Sequence, residues 1–168
     1  MTTLHTNQDL DPIRLREVFG IFPTGVVAVA AVVDGVPVGL AASSFTSVSL
    51  DPPLVSFSIA NSSKTWPDLR RAAHVGVTIL ADHHTGVARQ LAGAVERRFD
   101  ALLLTETPEG AVTLDDGLAQ FDTTIHAEVP AGDHTIVLLR LHAVGRPGHG
   151  RGEPLVFHRS RFGRLSPA

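Results

Sequence analysis

The stretch Val26-Val27-Ala28-Val29-Ala30-Ala31-Val32-Val33-Asp34-Gly35-Val36-Pro37-Val38-Gly39-Leu40-Ala41-Ala42 decides the fold class. Its first eight residues are apolar without a break and rich in β-branched valine, which predicts a buried strand. Asp34-Gly35 follows, a dipeptide whose residues tolerate the positive φ angles of a two-residue hairpin turn. Val36–Ala42 is then the returning strand. A chain that spends its richest apolar segment on a hairpin is building antiparallel sheet.

Upstream, Asp11-Pro12 supplies an N-cap and a first-turn proline. Leu15, Val18, Phe19 and Phe22 fall at helical spacing, predicting a short amphipathic helix over 12–20 that Gly20 and Pro23 close. Residues 1–10 read as a loose polar leader and 11–168 as one domain. Downstream, Ser43–Ser49 is polar and loop-like, and Asp51-Pro52-Pro53 is a turn. Leu54–Ala60 alternates Val55, Phe57 and Ile59 with Ser56 and Ser58, a strand with one covered face. Thr65 caps a short helix to about Ala73, Val75–Leu80 is a strand, Thr85–Ala94 is a helix, and 95–117 is ambiguous. Leu118–Val129 and His134–Val144 are long strands around a turn at Pro130–Asp133. Arg146–Glu153 is a Gly/Pro-rich loop, and Leu155–His158 a last short strand. Six or seven strands, three short helices and no strand–helix–strand rhythm predict a mainly β protein, a closed antiparallel barrel rather than a doubly wound sheet.

The chain has 168 residues and no cysteine, which excludes disulfides, thiol nucleophiles and Cys-ligated metal or iron–sulfur centres. A net charge of −3 argues against nucleic acid as a partner. The longest apolar run is eight residues, against roughly 20 for a membrane-spanning helix. Met1–Leu10 lacks the basic start and apolar centre of a signal peptide, so no membrane contact and a cytoplasmic location are expected. From Arg140 onward, six arginines (Arg140, Arg146, Arg151, Arg159, Arg161, Arg164) face one acid, Glu153. That is either a solvated basic tail or a site for a phosphorylated small molecule.

Most motifs that carry chemistry are missing. There is no P-loop, and Gly148, Gly150 and Gly152 miss the dinucleotide fingerprint because Glu153 stands in the third glycine's place. No G-x-S-x-G elbow anchors a hydrolase. Ser44, His134 and Asp133 could be assembled on paper, but adjacent residues on a strand point to opposite faces. His83-His84 is the densest histidine pair, yet no carboxylate spacing accompanies it; surface histidines in a turn are expected, and no metal site. Two polar clusters say more. Ser43–Ser49 puts five hydroxyls in seven residues after an apolar strand, and Asn61-Ser62-Ser63-Lys64-Thr65 opens a helix one strand later. Alone, each is equally a solvated turn or a plain helix cap. Flanking one strand, they point to a shared anionic ligand.

Phe22-Pro23-Thr24-Gly25-Val26, the Asp34-Gly35 and Pro37-Val38-Gly39-Leu40 segments, and the run Ala42–Val55 together resemble the short-chain flavin reductases. These are the NAD(P)H:flavin oxidoreductase components of two-component flavin-dependent monooxygenases. The resemblance continues through Ser63-Lys64-Thr65-Trp66-Pro67, Ala88-Arg89-Gln90-Leu91-Ala92, Glu96-Arg97-Arg98-Phe99, Ala131-Gly132-Asp133-His134-Thr135-Ile136 and Pro154–Leu165. It covers about residues 12–165, with the motifs in the same order.

The resemblance implies an FMN-binding split β-barrel that forms a homodimer, takes FMN or FAD with NADH or NADPH, and supplies reduced flavin to a separate monooxygenase. It places Thr24, Gly25 and Val26 beside the isoalloxazine ring. Ala42, Ser43, Ser44 and Thr46 then follow the ribityl chain and ring edge. Ser63 and Thr65 meet the phosphate, with Arg89, Arg98 and Phe99 helping to hold that end. His134 matches the position for nicotinamide binding and hydride transfer, and Arg159 and Phe162 match the segment over the active site. Two departures are small: with no tyrosine in the chain, Phe157-His158 stands where an aromatic hydroxyl is common, and Glu96 replaces a frequent aspartate. A split-barrel flavin carrier or sensor without turnover is the alternative.

Overall fold

The computed structural model describes residues 10–146 and 152–165. The expected N-terminal leader, up to residue 9, and residues 147–151 of the Gly/Pro-rich loop lie outside the described residues. Strands β2 (Val27–Val33) and β3 (Val36–Ala42) pair from Val33↔Val36 to Val27↔Ala42 around a turn in which Asp34 and Gly35 take φ of 52° and 80°. β2 is sandwiched, which is why it needs no polar face. Val27, Val29 and Ala31 enter one apolar cluster with Phe57, Val77, Val137 and Leu139. Ala28 and the preceding Val26 enter a second with Leu80, Leu91, Leu114 and Leu155.

Around the first cluster runs an antiparallel sheet of seven strands, ordered β3-β2-β6-β9-β10-β5-β4. Its other members are β4 (Thr46–Leu50), β5 (Pro53–Ala60), β6 (Val75–Ile79), β9 (Ala119–Ala131) and β10 (His134–Gly145). The sheet curls until β3 approaches β5. There the Ser44 hydroxyl accepts from the Ser58 N–H at 2.9 Å and donates to the Ser58 carbonyl at 3.1 Å. β3 is an edge strand, so the barrel is split rather than closed by a continuous ladder. β1 (Thr24–Gly25), β11 (Leu155–His158) and β12 (Arg161–Arg164) form a second sheet over the second cluster. β7 (Leu104–Glu106) and β8 (Val112–Leu114) form a small hairpin. Helices α1 (Pro12–Phe19), α2 (Trp66–Leu69) and α3 (Thr85–Leu91) are peripheral.

The described residues hold twelve strands rather than six or seven. Thr46–Leu50 is a strand, not a loop; nearly all its residues are exposed, so no apolar alternation marks it, and backbone pairing to β5 holds it in place. α2 ends at Leu69 and α3 at Leu91, both short of expectation. β9 runs on to Ala131, so only Gly132 and Asp133 turn the chain into β10. Asp11 caps α1 as expected, accepting from Ile13 N at 2.9 Å and Arg14 N at 3.1 Å. Among the described residues, most of the apolar face of α1 is uncovered: Ile13 and Phe19 are 70% and 68% exposed, and Phe22 beyond the helix 74%.

Candidate active site

His134 opens β10 directly after the Gly132-Asp133 turn. Its Nδ1 lies 2.7 Å from Asp133 Oδ1. Asp133 sits in the turn, not on the strand, so the alternation expected to separate the two side chains does not apply. The hydrogen bond from His134, then its charge, holds the Asp133 carboxyl below the usual carboxylate range. With Nδ1–H donated to Asp133, a neutral His134 ring leaves Nε2 as an acceptor. That side chain is 45% exposed, and Nε2 has no protein partner among the described residues.

The second polar cluster lies next to this turn, because His134 pairs with Ala60 across the β10–β5 ladder. Ser63, rather than Thr65, caps α2: its Oγ accepts from Thr65 N at 3.3 Å and Trp66 N at 3.2 Å. Thr65 is buried, and its Oγ1 accepts from Arg98 Nη1 at 2.7 Å. Arg98 also donates to the carbonyls of Gly39 and Gly93, at 2.9 and 3.0 Å. It therefore clips β3, the α2 loop and the end of α3 together. Phe99 packs in the second apolar cluster against Gly39, where an added Cβ would meet its ring at 2.8 Å. Glu128 on β9 anchors α2, accepting from Trp66 Nε1 at 2.8 Å and Arg70 Nη2 at 2.6 Å.

Thr24 and Gly25 pair with Phe157 and Val156 of β11. Gly25 has no positive φ, and a Cβ there would meet nothing within 4 Å. Neither conformation nor internal packing requires glycine there, and the space beside it is open. Val26 is buried, so only its backbone can face a ligand. The β11–β12 hairpin borders a cavity of about 560 Å³ lined by His158, Arg159, Arg161, Phe162 and Arg164 among others. Arg89 on α3 lies over the Phe162 ring, 5.8 Å from its centroid. A string of direct contacts joins these parts: Thr24-Gly25 leads into Val27, which pairs with Ala42; Ser44 binds Ser58; and Ala60 pairs with His134. Ser43 and Thr46 are exposed along it.

His83 and His84 do gain a carboxylate, from Asp116, a distant residue that spacing could not reveal. His84 Nε2 lies 2.9 Å and His83 Nε2 3.3 Å from it. His84 is also buried, not a surface residue. Burial pushes its pKa down, against the Asp116 hydrogen bond and charge, which raise it. The Ala81 N–H donates to His84 Nδ1 at 2.9 Å, so Nε2 carries the ring proton and donates it to Asp116. Both ring nitrogens of His84 are thereby engaged with protein groups.

The flavin reductase like domain matches residues 19–166. This chain belongs to the flavin reductase family. A flavin reductase of Pseudomonas putida is 37% identical over 155 residues, covering 92% of this chain and 90% of its own. The NADH-dependent FMN reductase SmoA of Agrobacterium fabrum is 40% identical over 152 residues, covering 90% and 84%. The NADH:FAD oxidoreductase SgcE6 of Streptomyces globisporus superposes with a TM-score of 0.86 at 32% identity over 99% of both chains. The split barrel expected from the sequence is thus the family's fold.

Within this family frame, the expected site residues divide into two sets. Ser44, Ser63, Thr65, Arg98 and Phe99 are engaged with protein partners and shape the backbone. Gly25, Ser43, Thr46, Arg89, His134 and Arg159 present open space or solvent-facing groups. A planar, phosphorylated ligand fits the second set: room at Gly25, hydroxyls alongside, and cationic groups around the hairpin cavity. Sequence reasoning passed over Asn61 and gave Asp133 no part in orienting His134. Asp133 was signalled by its place in Gly-Asp-His; Asn61 only by heading the second polar cluster.

Proposed function

We propose that this chain is an NAD(P)H-dependent flavin reductase that moves a hydride from reduced nicotinamide to FMN or FAD and releases the reduced flavin to a separate monooxygenase. The observation that supports it most is the division just described: one set of groups fixes the loops, and another, which includes His134, is left facing outward. A bound flavin supplies the hydride acceptor that this cysteine-free chain has in no side chain. The chain's own contribution is placement. Asp133 holds the Nδ1 proton of His134 and so turns Nε2 outward as an acceptor for the nicotinamide carboxamide N–H. Thr24-Gly25 allows close backbone approach to the ring, with Val26 contributing backbone alone. Ala42, Ser43 and Thr46 border the chain of the flavin, and Ser44 holds that border to β5. The Ser63–Thr65 loop meets the phosphate through a backbone that Ser63 and Arg98 shape, with Phe99 packed behind. Arg89, Arg159 and Phe162 close over the site.

Residues 11–168 act as one domain in this proposal, and two copies pair. The uncovered apolar groups of α1 and of the turn after it, Ile13, Phe19, Ile21 and Phe22, support a homodimer. No helix of the described residues is long and apolar enough to cross a membrane, and a cytoplasmic location fits a partner that consumes free reduced flavin. The test is steady-state oxidation of NADH and NADPH with FMN, FAD and riboflavin. Turnover with at least one phosphorylated flavin is expected. Flavin binding without any oxidation of NADH or NADPH would leave a carrier or sensor instead.

A further inference from the structure

We propose that Asn61 is a positioning residue for His134, locking the hairpin that carries the nicotinamide-facing histidine to the loop beside the flavin phosphate. This rests on the assignment of His134 made above. Asn61 spends its polar groups on one target. Its backbone N–H donates to the Asp133 carbonyl at 2.9 Å, its Nδ2 donates to the Gly132 carbonyl at 3.2 Å, and its Oδ1 accepts from Thr135 Oγ1 at 3.0 Å. The three partners are residues 132, 133 and 135, which bracket His134 on both sides.

The turn needs such a brace. It is two residues long, Gly132 stands at φ 69°, and Asp133 is fully exposed. The Asp133–His134 hydrogen bond can orient the imidazole only while the turn backbone is held still. On the other side, the segment after Asn61 is fixed independently by the Ser63 cap and by the Glu128 grip on Trp66 and Arg70. Asn61 is therefore the joint between a fixed loop and the exposed two-residue turn that precedes His134. Only an uncharged amide serves both sides, because it offers a donor to Gly132 and an acceptor to Thr135 from one plane. A carboxylate would set an oxygen against the Gly132 carbonyl.

The test is a double-mutant cycle between Asn61→Ala and His134→Ala, read as the NADH KM and kcat/KM at saturating FMN. Asn61→Ala alone is expected to lower kcat/KM for NADH roughly tenfold, the scale of a small misplacement of a reacting group. In the His134→Ala background the same change should cost less than about twofold, because its effect passes through the missing ring. Thr135→Val removes one of the three bonds and should give a smaller loss in the same direction, which guards against misfolding of the alanine variant. A full, additive loss in the double variant would reduce Asn61 to a structural residue and overturn the proposal. So would unchanged kinetics in Asn61→Ala and Thr135→Val while His134→Ala is impaired. If His134→Ala is itself silent, the assignment of His134 fails first, and this inference falls with it.

Discussion

Asp34-Gly35 and Arg159-Ser160 turn the chain in the same way. Each joins two antiparallel strands in two residues with both φ angles positive, 52° and 80° in the first and 49° and 60° in the second. The first uses residues that this backbone favours. The second puts an arginine and a serine where a Cβ is crowded, at roughly 1–2 kcal/mol per residue. Their surroundings differ as well. The first borders no site group among the described residues, and Asp34 pairs with Arg71. The second is pinned to α1 by the Arg159 N–H donating to the Gly20 carbonyl at 2.7 Å, lies one strand from Thr24-Gly25, and borders the cationic cavity. On the proposed reading, a turn free of ligand duties takes the residues its geometry prefers, while the turn that would present Arg159 to the ligand keeps its strain where that side chain is used.

The largest effect should come from making the second turn resemble the first. Replacing Arg159-Ser160 by Asn-Gly relieves the backbone but removes the guanidinium. Thermal melting should show a rise of a few degrees, on the order of 2–4 °C per kcal/mol recovered, while kcat/KM for NADH with FMN falls about tenfold or more. Higher stability with undiminished activity would show that the arginine is not what the strain serves. Gly35→Ala is the smaller, converse change. A Cβ there meets nothing within 4 Å, so only the φ of 80° is at stake. The expected cost is about 1 kcal/mol, seen as a lower melting temperature, with turnover unchanged. An unmoved melting temperature would mean that this turn does not depend on its glycine.

The same contrast explains what could be read in advance. The β2–β3 hairpin, β5 and the long β9–β10 pair were legible because each carries a local pattern: an unbroken apolar run, strict alternation, or a glycine turn. β4 was not, since an exposed edge strand has no buried face to mark it. Among candidate site residues, contiguous motifs such as Gly-Asp-His drew attention to His134, while Asp133 was set aside as its partner on a strand alternation that does not hold in the turn where Asp133 lies. What escaped was whatever depends on distant segments meeting. Asn61 reaches Gly132 and Thr135 from more than 70 positions away. Arg98 turns inward to Thr65 and Gly39. Asp116 finds His84 across 32 residues. The Thr65 cap failed for a subtler reason: Pro67 has no N–H to give it, and the Thr65 hydroxyl is engaged by Arg98 instead.

The central claim is that this chain moves no electrons with its own side chains and instead brings two nucleotides together. The most direct measurement is a stoichiometric titration of the purified protein under argon, followed by flavin absorbance. Flavin-free protein should leave NADH and NADPH untouched, and with added FMN or FAD one of them should bleach the flavin mole for mole. Loss of the reduced nicotinamide without flavin, or no bleaching of either flavin by either nucleotide, would contradict it.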